Sequence, residues 1–333
     1  MKIVFFGTPQ FTVPSLKRLL KEPEFEVIAV VTQPDKPRGR GKKLIPTPVK
    51  TVALEHQLPV WQPQSIKKDR ETFQLLEQSR ADAFIVVAYG QIFPPKILAL
   101  PKLGCINLHG SILPQYRGAA PIQWSLYNGD RTTGITTMVM DKGMDTGAML
   151  LKTDTPVGLL ENAQEVGTKL ATMGADLIVE TLLKLNQGVI EPIAQDSSIA
   201  TYANLIKKSD YALDLSRSAL ELHNQIRGFY PNCQALLGSQ KLKILATAPV
   251  GDPYFSQLPP ELNLLEQQWD NLSALGGSPG EIVSIIKNIG PILQTGEGLL
   301  LLREVQLAGK RPQSGWDFVN GMHLKVGEII KNG

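Results

Sequence analysis

Asn107 and His109 stand two residues apart at the end of a short apolar run, Gly104 to Ile106. Such a run reads as a buried strand, and residues i and i+2 of a strand project to one face. One site can therefore receive a carboxamide and an imidazole together. The carboxamide can donate to an oxyanion developing on a carbonyl, and the imidazole can move or share a proton. That pair suits acyl transfer. Gly110 and Pro114 then turn the chain out of the sheet. An imidazole in this role is best oriented by a carboxylate. Asp145, between Gly143 and Gly147 in a loop able to approach closely, is the candidate.

Other chemistries fit less well. The remaining histidines, His56, His223 and His323, offer no ligand spacing, and Cys105 and Cys233 are the only cysteines. Neither a metal site nor a disulfide framework is implied. The turn Gly7-Thr8-Pro9-Gln10-Phe11 has one glycine where a dinucleotide fingerprint needs three.

The elements around the pair set its position. Lys2–Phe6, Phe25–Val31, Ala83–Ala88, Cys105–Leu108 and Thr136–Met140 read as strands. They alternate with helical spacing at Phe11 to Leu20, at Glu71 to Gln78 and over 163–187. Such alternation predicts an α/β fold with a doubly wound, Rossmann-like parallel sheet, in which ligands bind beyond the carboxyl ends of the strands. Residues 1–190 form this domain and 191–208 a linker of weak periodicity. A helix at Ala219 to Arg227 follows, then short glycine-punctuated strands at 235–237, 241–246, 280–287, 292–294 and 299–304. These predict a smaller β-barrel, OB-like, over 209–333. Residues 251–278 interrupt it as a surface excursion.

With 333 residues, 43% hydrophobic and 20% charged, the composition is that of an ordinary globular chain. No apolar run approaches a membrane span, and the Met1–Gly7 run is too short for a signal-peptide core. Together with the two cysteines this implies a cytoplasmic protein without membrane contact, and nothing demands more than a monomer. Net charge is +3, and it is concentrated. Lys36, Arg38, Arg40, Lys42 and Lys43 stand against Asp35 alone, while the 12 basic and 12 acidic residues from Lys207 onward cancel.

Asn107 to Ile122, read with Asp141 to Gly147, resembles the folate-dependent formyltransferases, and the resemblance runs nearly end to end. Gly7-Thr8-Pro9, Thr32 to Lys43, Val86 to Gly90 and Gly309 to Arg311 also fit. The resemblance implies that Asn107, His109 and Asp145 are the catalytic triad. It implies that Ser111, Ile112, Leu113 and Pro114 line the site of the formyl donor, 10-formyltetrahydrofolate, and that no metal is required. The implied acceptor is the α-amine of methionine carried by initiator tRNA. Asn107 and His109 would polarise the formyl oxygen, and Asp145 would hold His109. The segment Ile226 to Cys233 and the long 251–278 insertion depart from the family pattern.

Relatives with similar motifs formylate glycinamide ribonucleotide or amino-sugar nucleotides. The first kind resembles only the first domain; the second shares the two-domain layout and is the competitor. The basic stretch discriminates. Interleaved with Gly39 and Gly41, its five cations form an arm able to follow phosphates. The resemblance implies that Lys36, Arg38, Arg40, Lys42 and Lys43 enter the acceptor arm of tRNA, Arg40 foremost. In the barrel, Lys207, Lys208, Lys241, Lys243, Lys310 and Arg311 are candidates for a further patch. A non-catalytic nucleic-acid-binding protein with a relict folate site would be favoured by an altered triad, and all three residues are intact.

Overall fold

The strands Lys2–Gly7 and Ala83–Val87 are buried along almost their whole length, as strands covered on both faces must be. In the computed structural model, which describes residues 1–38 and 43–333, they lie side by side. Among the described residues the sheet runs in the order Met149–Pro156, Thr132–Val139, Cys105–His109, Ala83–Val87, Lys2–Gly7, Glu26–Val31, Val60–Trp61. The strands from Cys105–His109 to Val60–Trp61 are parallel, as the alternation of strands and helices predicts.

Thr132–Val139 departs from that expectation. It runs antiparallel to Cys105–His109, with Val139 opposite Ile106 and Thr136 opposite His109. The connection between the two strands carries the short helix Pro121–Tyr127. The strand Met149–Pro156, absent from the sequence reading, has partly exposed, polar alternate positions, as suits the edge of a sheet. The helix Ala163–Gln187 lies close on the strands that carry the candidate pair. A Cβ at Gly174 would come within 2.6 Å of Ile135 Cδ1 and 2.7 Å of Leu108 Cδ2, so any larger residue would make those side chains shift.

The chain divides into two units. The first comprises Met1–Pro121, Thr133–Thr155 and Gly167–Ala203; the second comprises Ile122–Thr132, Pro156–Val166 and Asn204–Gly333. In the second, an antiparallel sheet runs Ile282–Ile286, Gly290–Gln294, Leu299–Leu307, Gln240–Val250, Gln234–Leu237, Ile330–Lys331. A bridge between Glu281 and Ile329 joins its two ends, so the sheet curls into a small barrel.

The run Leu299 to Leu302 shows why simple alternation fails there. Leu300 and Leu302 join a core with Leu222, Ile226 and Phe229, contributed by the helix Ala219–Gly228 and the residue after it. Leu299 and Leu301 join another with Phe255, Leu265 and Leu272. Those last three come from the segment read as a surface excursion. It instead forms the short helices Asp252–Phe255, Asn263–Gln267 and Trp269–Ser273 and buries the other face of the sheet.

Helix Ala219–Gly228 also buries polar groups. His223 Nδ1 lies 2.9 Å from the Thr247 hydroxyl and Nε2 lies 2.8 Å from the Leu159 carbonyl. A carbonyl can only accept, so Nε2 carries the proton and Thr247 donates to Nδ1. Burial, reinforced by the nearby Arg227 and Arg303 charges, pushes the imidazole down to about 3. Because this lies below the ordinary 6.5, the unfolded chain takes up the proton first. Stability is then intact above pH 6.5 and erodes as pH falls from there towards 3, by on the order of 1 kcal/mol per pH unit for this group. Urea unfolding of the wild type and of His223→Gln between pH 4 and 7 should converge as pH falls. Parallel curves would refute the neutral buried imidazole.

Candidate active site

The strand Cys105–His109 presents Asn107 half-buried and His109 only 5% exposed. The structure brings both to Asp145. Asn107 Nδ2 lies 3.5 Å from Asp145 Oδ1, and His109 Nδ1 lies 3.7 Å from Asp145 Oδ2. These separations are loose. The firm contacts are to main chain. Gly118 N–H donates to Asp145 Oδ2 at 2.9 Å, and His109 Nε2 lies 3.0 Å from the Tyr116 carbonyl. That carbonyl requires the proton on Nε2, so a peptide oxygen sets the tautomer, a role the sequence reading gave to the carboxylate. Nδ1 is left facing Asp145.

The loop holding Asp145 is tightly wound. Gly143 N and Thr146 Oγ1 both donate to Asp141 Oδ1, at 2.9 and 2.7 Å. Asp145 itself sits at φ +53°, in the left-handed region. Gln195 Nε2 donates to the carbonyls of Asp145 and Gly147, at 2.8 and 2.7 Å, while its Oε1 accepts from Arg117 Nε at 3.0 Å. Tyr116, Arg117, Gly118 and Gln195 were missed as site residues. The first three lie within the quoted motif, but two of them act through peptide groups. Gln195 lies in the stretch read as a linker, which gives no periodic signal.

The segment Ser111 to Pro114 is tied to the sheet through Thr136. Its hydroxyl donates to Ser111 O at 2.7 Å and accepts from Leu113 N at 3.1 Å. Ser111 and Leu113 are buried, and Ser111 Oγ donates to Gln115 O at 2.6 Å. Ile112 and Pro114 are the partly exposed members.

Lys36–Arg38 pairs antiparallel with Lys43–Ile45 as a two-stranded ribbon. Arg40 and Lys42 lie outside the described residues. Lys36 is exposed and lines a cleft of about 260 Å³ with Thr8, Gln10, Gln33 and Thr47. Next to it, Asp35 accepts from Lys50 Nζ at 2.6 Å and Gln62 Nε2 at 2.8 Å, contacts that hold its carboxyl below the usual range. The base of the ribbon is thereby fixed to the sheet domain. In the second unit Lys243 sits opposite Gln234 and Gln306, Lys241 is opposite Leu236, and Lys207, Lys208, Lys310 and Arg311 are exposed. Among the described residues no helix is long and apolar enough to cross a membrane.

Residues 1–182 match the family described as Formyl transferase, and residues 205–323 match the Formyl transferase C-terminal domain. The chain belongs to the formyl transferase family. Within it, the chain is 66% identical to the methionyl-tRNA formyltransferase of Trichormus variabilis over the whole of both chains. It is 64% identical to that of Gloeothece citriformis, over 98% of each. Among solved structures it resembles a sugar 3N-formyl transferase in the presence of dTDP and 5-N-formyl-THF, with a TM-score of 0.61 at 18% identity over 93% and 99% of the chains. It also resembles the N-formyltransferase of Helicobacter canadensis in complex with folinic acid and dTDP-3-aminofucose. There the TM-score is 0.60 at 16% identity, over 91% and 98%. These two likenesses are of fold.

A Cβ at position 147 would lie 1.8 Å from the Val139 carbonyl oxygen. Gly147→Ala should therefore force the loop to move and cost about 1–3 kcal/mol in urea unfolding. An unchanged midpoint would show that the loop yields without strain.

Proposed function

We propose that the chain transfers the formyl group of 10-formyltetrahydrofolate to the α-amine of methionine esterified to initiator tRNA, in the cytoplasm. The observation that carries this reading is identity of 66% along the full length of a relative named for that reaction. Folate as donor is supported by neighbours of the same fold solved with 5-N-formyl-THF and with folinic acid. In the reaction the bond from the formyl carbon to N10 breaks and one to the amine nitrogen forms. The amine gives up a proton and N10 takes one.

Asn107 and His109 converge on a carboxylate, and a carbonyl entering beside them meets an amide donor and an imidazole. In this reading Asn107 Nδ2 polarises the formyl oxygen, and His109 joins it in stabilising the tetrahedral oxyanion when its Nε2–H turns from the Tyr116 carbonyl to that oxygen. Asp145, itself anchored on Gly118 N–H, offsets the charge when His109 takes a second proton at Nδ1. Ile112 and Pro114, with the peptide groups around Ser111 and Leu113, receive the folate. Lys36, Arg38, Arg40, Lys42 and Lys43 contact tRNA phosphates, and the domain over 209–333, reached through 191–208, adds contacts through Lys241, Lys243, Lys310 and Arg311.

The first test offers 10-formyltetrahydrofolate with methionyl initiator tRNA or with an amino-sugar nucleotide. Transfer to the tRNA is expected; transfer to the sugar alone would overturn the acceptor. His109→Ala and Asp145→Ala should each cut turnover by about a hundredfold or more while folate affinity changes little. A loss of affinity equal to the loss of rate would contradict their roles. Arg40→Ala should raise KM for tRNA several-fold and leave a minimal methionyl ester unaffected. Equal damage to both acceptors would make Arg40 structural.

A further inference from the structure

Both ends of Asp145 are governed from one short segment. Its carboxylate accepts from the peptide N–H of Gly118 at 2.9 Å. Its carbonyl, with that of Gly147, accepts from Gln195 Nε2. Gln195 is in turn oriented by Arg117, which donates through Nε to Oε1 at 3.0 Å. A guanidinium only donates, so it fixes the carboxamide oxygen on its own side and leaves both amide hydrogens for the loop. Arg117 is 2% exposed and also donates to Ser197 Oγ at 3.3 Å. Its backbone is pinned by pairing with Tyr202, the neighbouring Gly118 pairing with Ala203. Residues 117 and 118 thus hold Asp145 directly and through one intermediary.

That hold has a task. A non-glycine residue in the left-handed region stores about 1–3 kcal/mol and persists only where its surroundings over-determine it. Asp145 is such a residue, at φ +53°. Its carboxylate faces His109 and Asn107 from that conformation, at separations that a small rotation would lengthen beyond use. We propose that Gln195 is a positioning residue for formyl transfer. Clamped by Arg117, it holds the Asp145 loop in the conformation that aims the carboxylate at His109 and Asn107. The inference rests on the reading of Asp145 given above.

The experiment is a double-mutant cycle in the full chain with Gln195→Ala and Asp145→Ala. Gln195→Ala alone should lower kcat by about tenfold or more, with KM for folate and acceptor changed less than about threefold and the unfolding midpoint within a few degrees. In the Asp145→Ala background it should cost little further. Gln195→Glu keeps the acceptor for Arg117 but loses both donors when ionised, so it should reproduce the fall in kcat. It also serves if the alanine variant folds poorly. Additive losses, an unchanged kcat, or a rise in KM alone would overturn the proposal. The ring-nitrogen NMR signals of His109 in the unliganded protein should shift in Gln195→Ala; unmoved signals would count against it. Because that readout needs no turnover, it separates failure of this inference from failure of the proposed reaction, which the wild-type assay tests.

Discussion

The hydrogen bond from the peptide N–H of Gly118 to the Asp145 carboxylate is the contact on which the candidate site depends. Three stretches meet there: the strand Cys105–His109, the loop that follows it, and the loop between the strands Thr132–Val139 and Met149–Pro156. The first two are joined by the His109 contact to the Tyr116 carbonyl. The third follows Thr132–Val139, which runs antiparallel beside Cys105–His109. The 141–147 loop leaves the sheet beside Cys105, and the bonds from Gly118 and Gln195 hold Asp145 towards His109 and Asn107.

Much of this was legible in the sequence where the signal is local. Asn107 and His109 share a strand face because of their spacing, and the helix Ala163–Gln187 is read with its observed bounds from its apolar period. Asp145 could be nominated because glycines bracket it. What escaped has a common physical cause. Gly118 and Tyr116 act through peptide groups, which every residue possesses, so residue type gives no hint. Gln195 acts from an aperiodic stretch whose place is set by pairing with residues 117 and 118. The strand direction at 132–139 is not announced by the residue types of the strand, which is buried along most of its length and fits either sense. In the barrel, four consecutive leucines obscured the alternation because both faces of their strand are covered.

The fold by itself does not name an acceptor. Sugar formyltransferases at 16–18% identity share it over nearly their whole length. Whatever selects the acceptor must lie in features laid over the common sheet, and here electrostatics narrows the choice. Without the stretch Asp35 to Lys43 the chain would sit near −1, since five cations and one acid are concentrated there. At physiological salt, charges act over roughly 8 Å, so a nearly neutral body neither attracts nor repels a polyanion from a distance. In the proposed reading, attraction comes from the cations gathered in that stretch. The ribbon of Lys36–Arg38 and Lys43–Ile45 flanks that stretch, and the Lys50–Asp35 pair with Gln62 fixes its base. The single acid of the stretch, Asp35, accepts from Lys50 in that anchor. In the proposed reading a polyphosphate acceptor is the partner for which that concentration of charge is useful, and a small sugar nucleotide has no need of it.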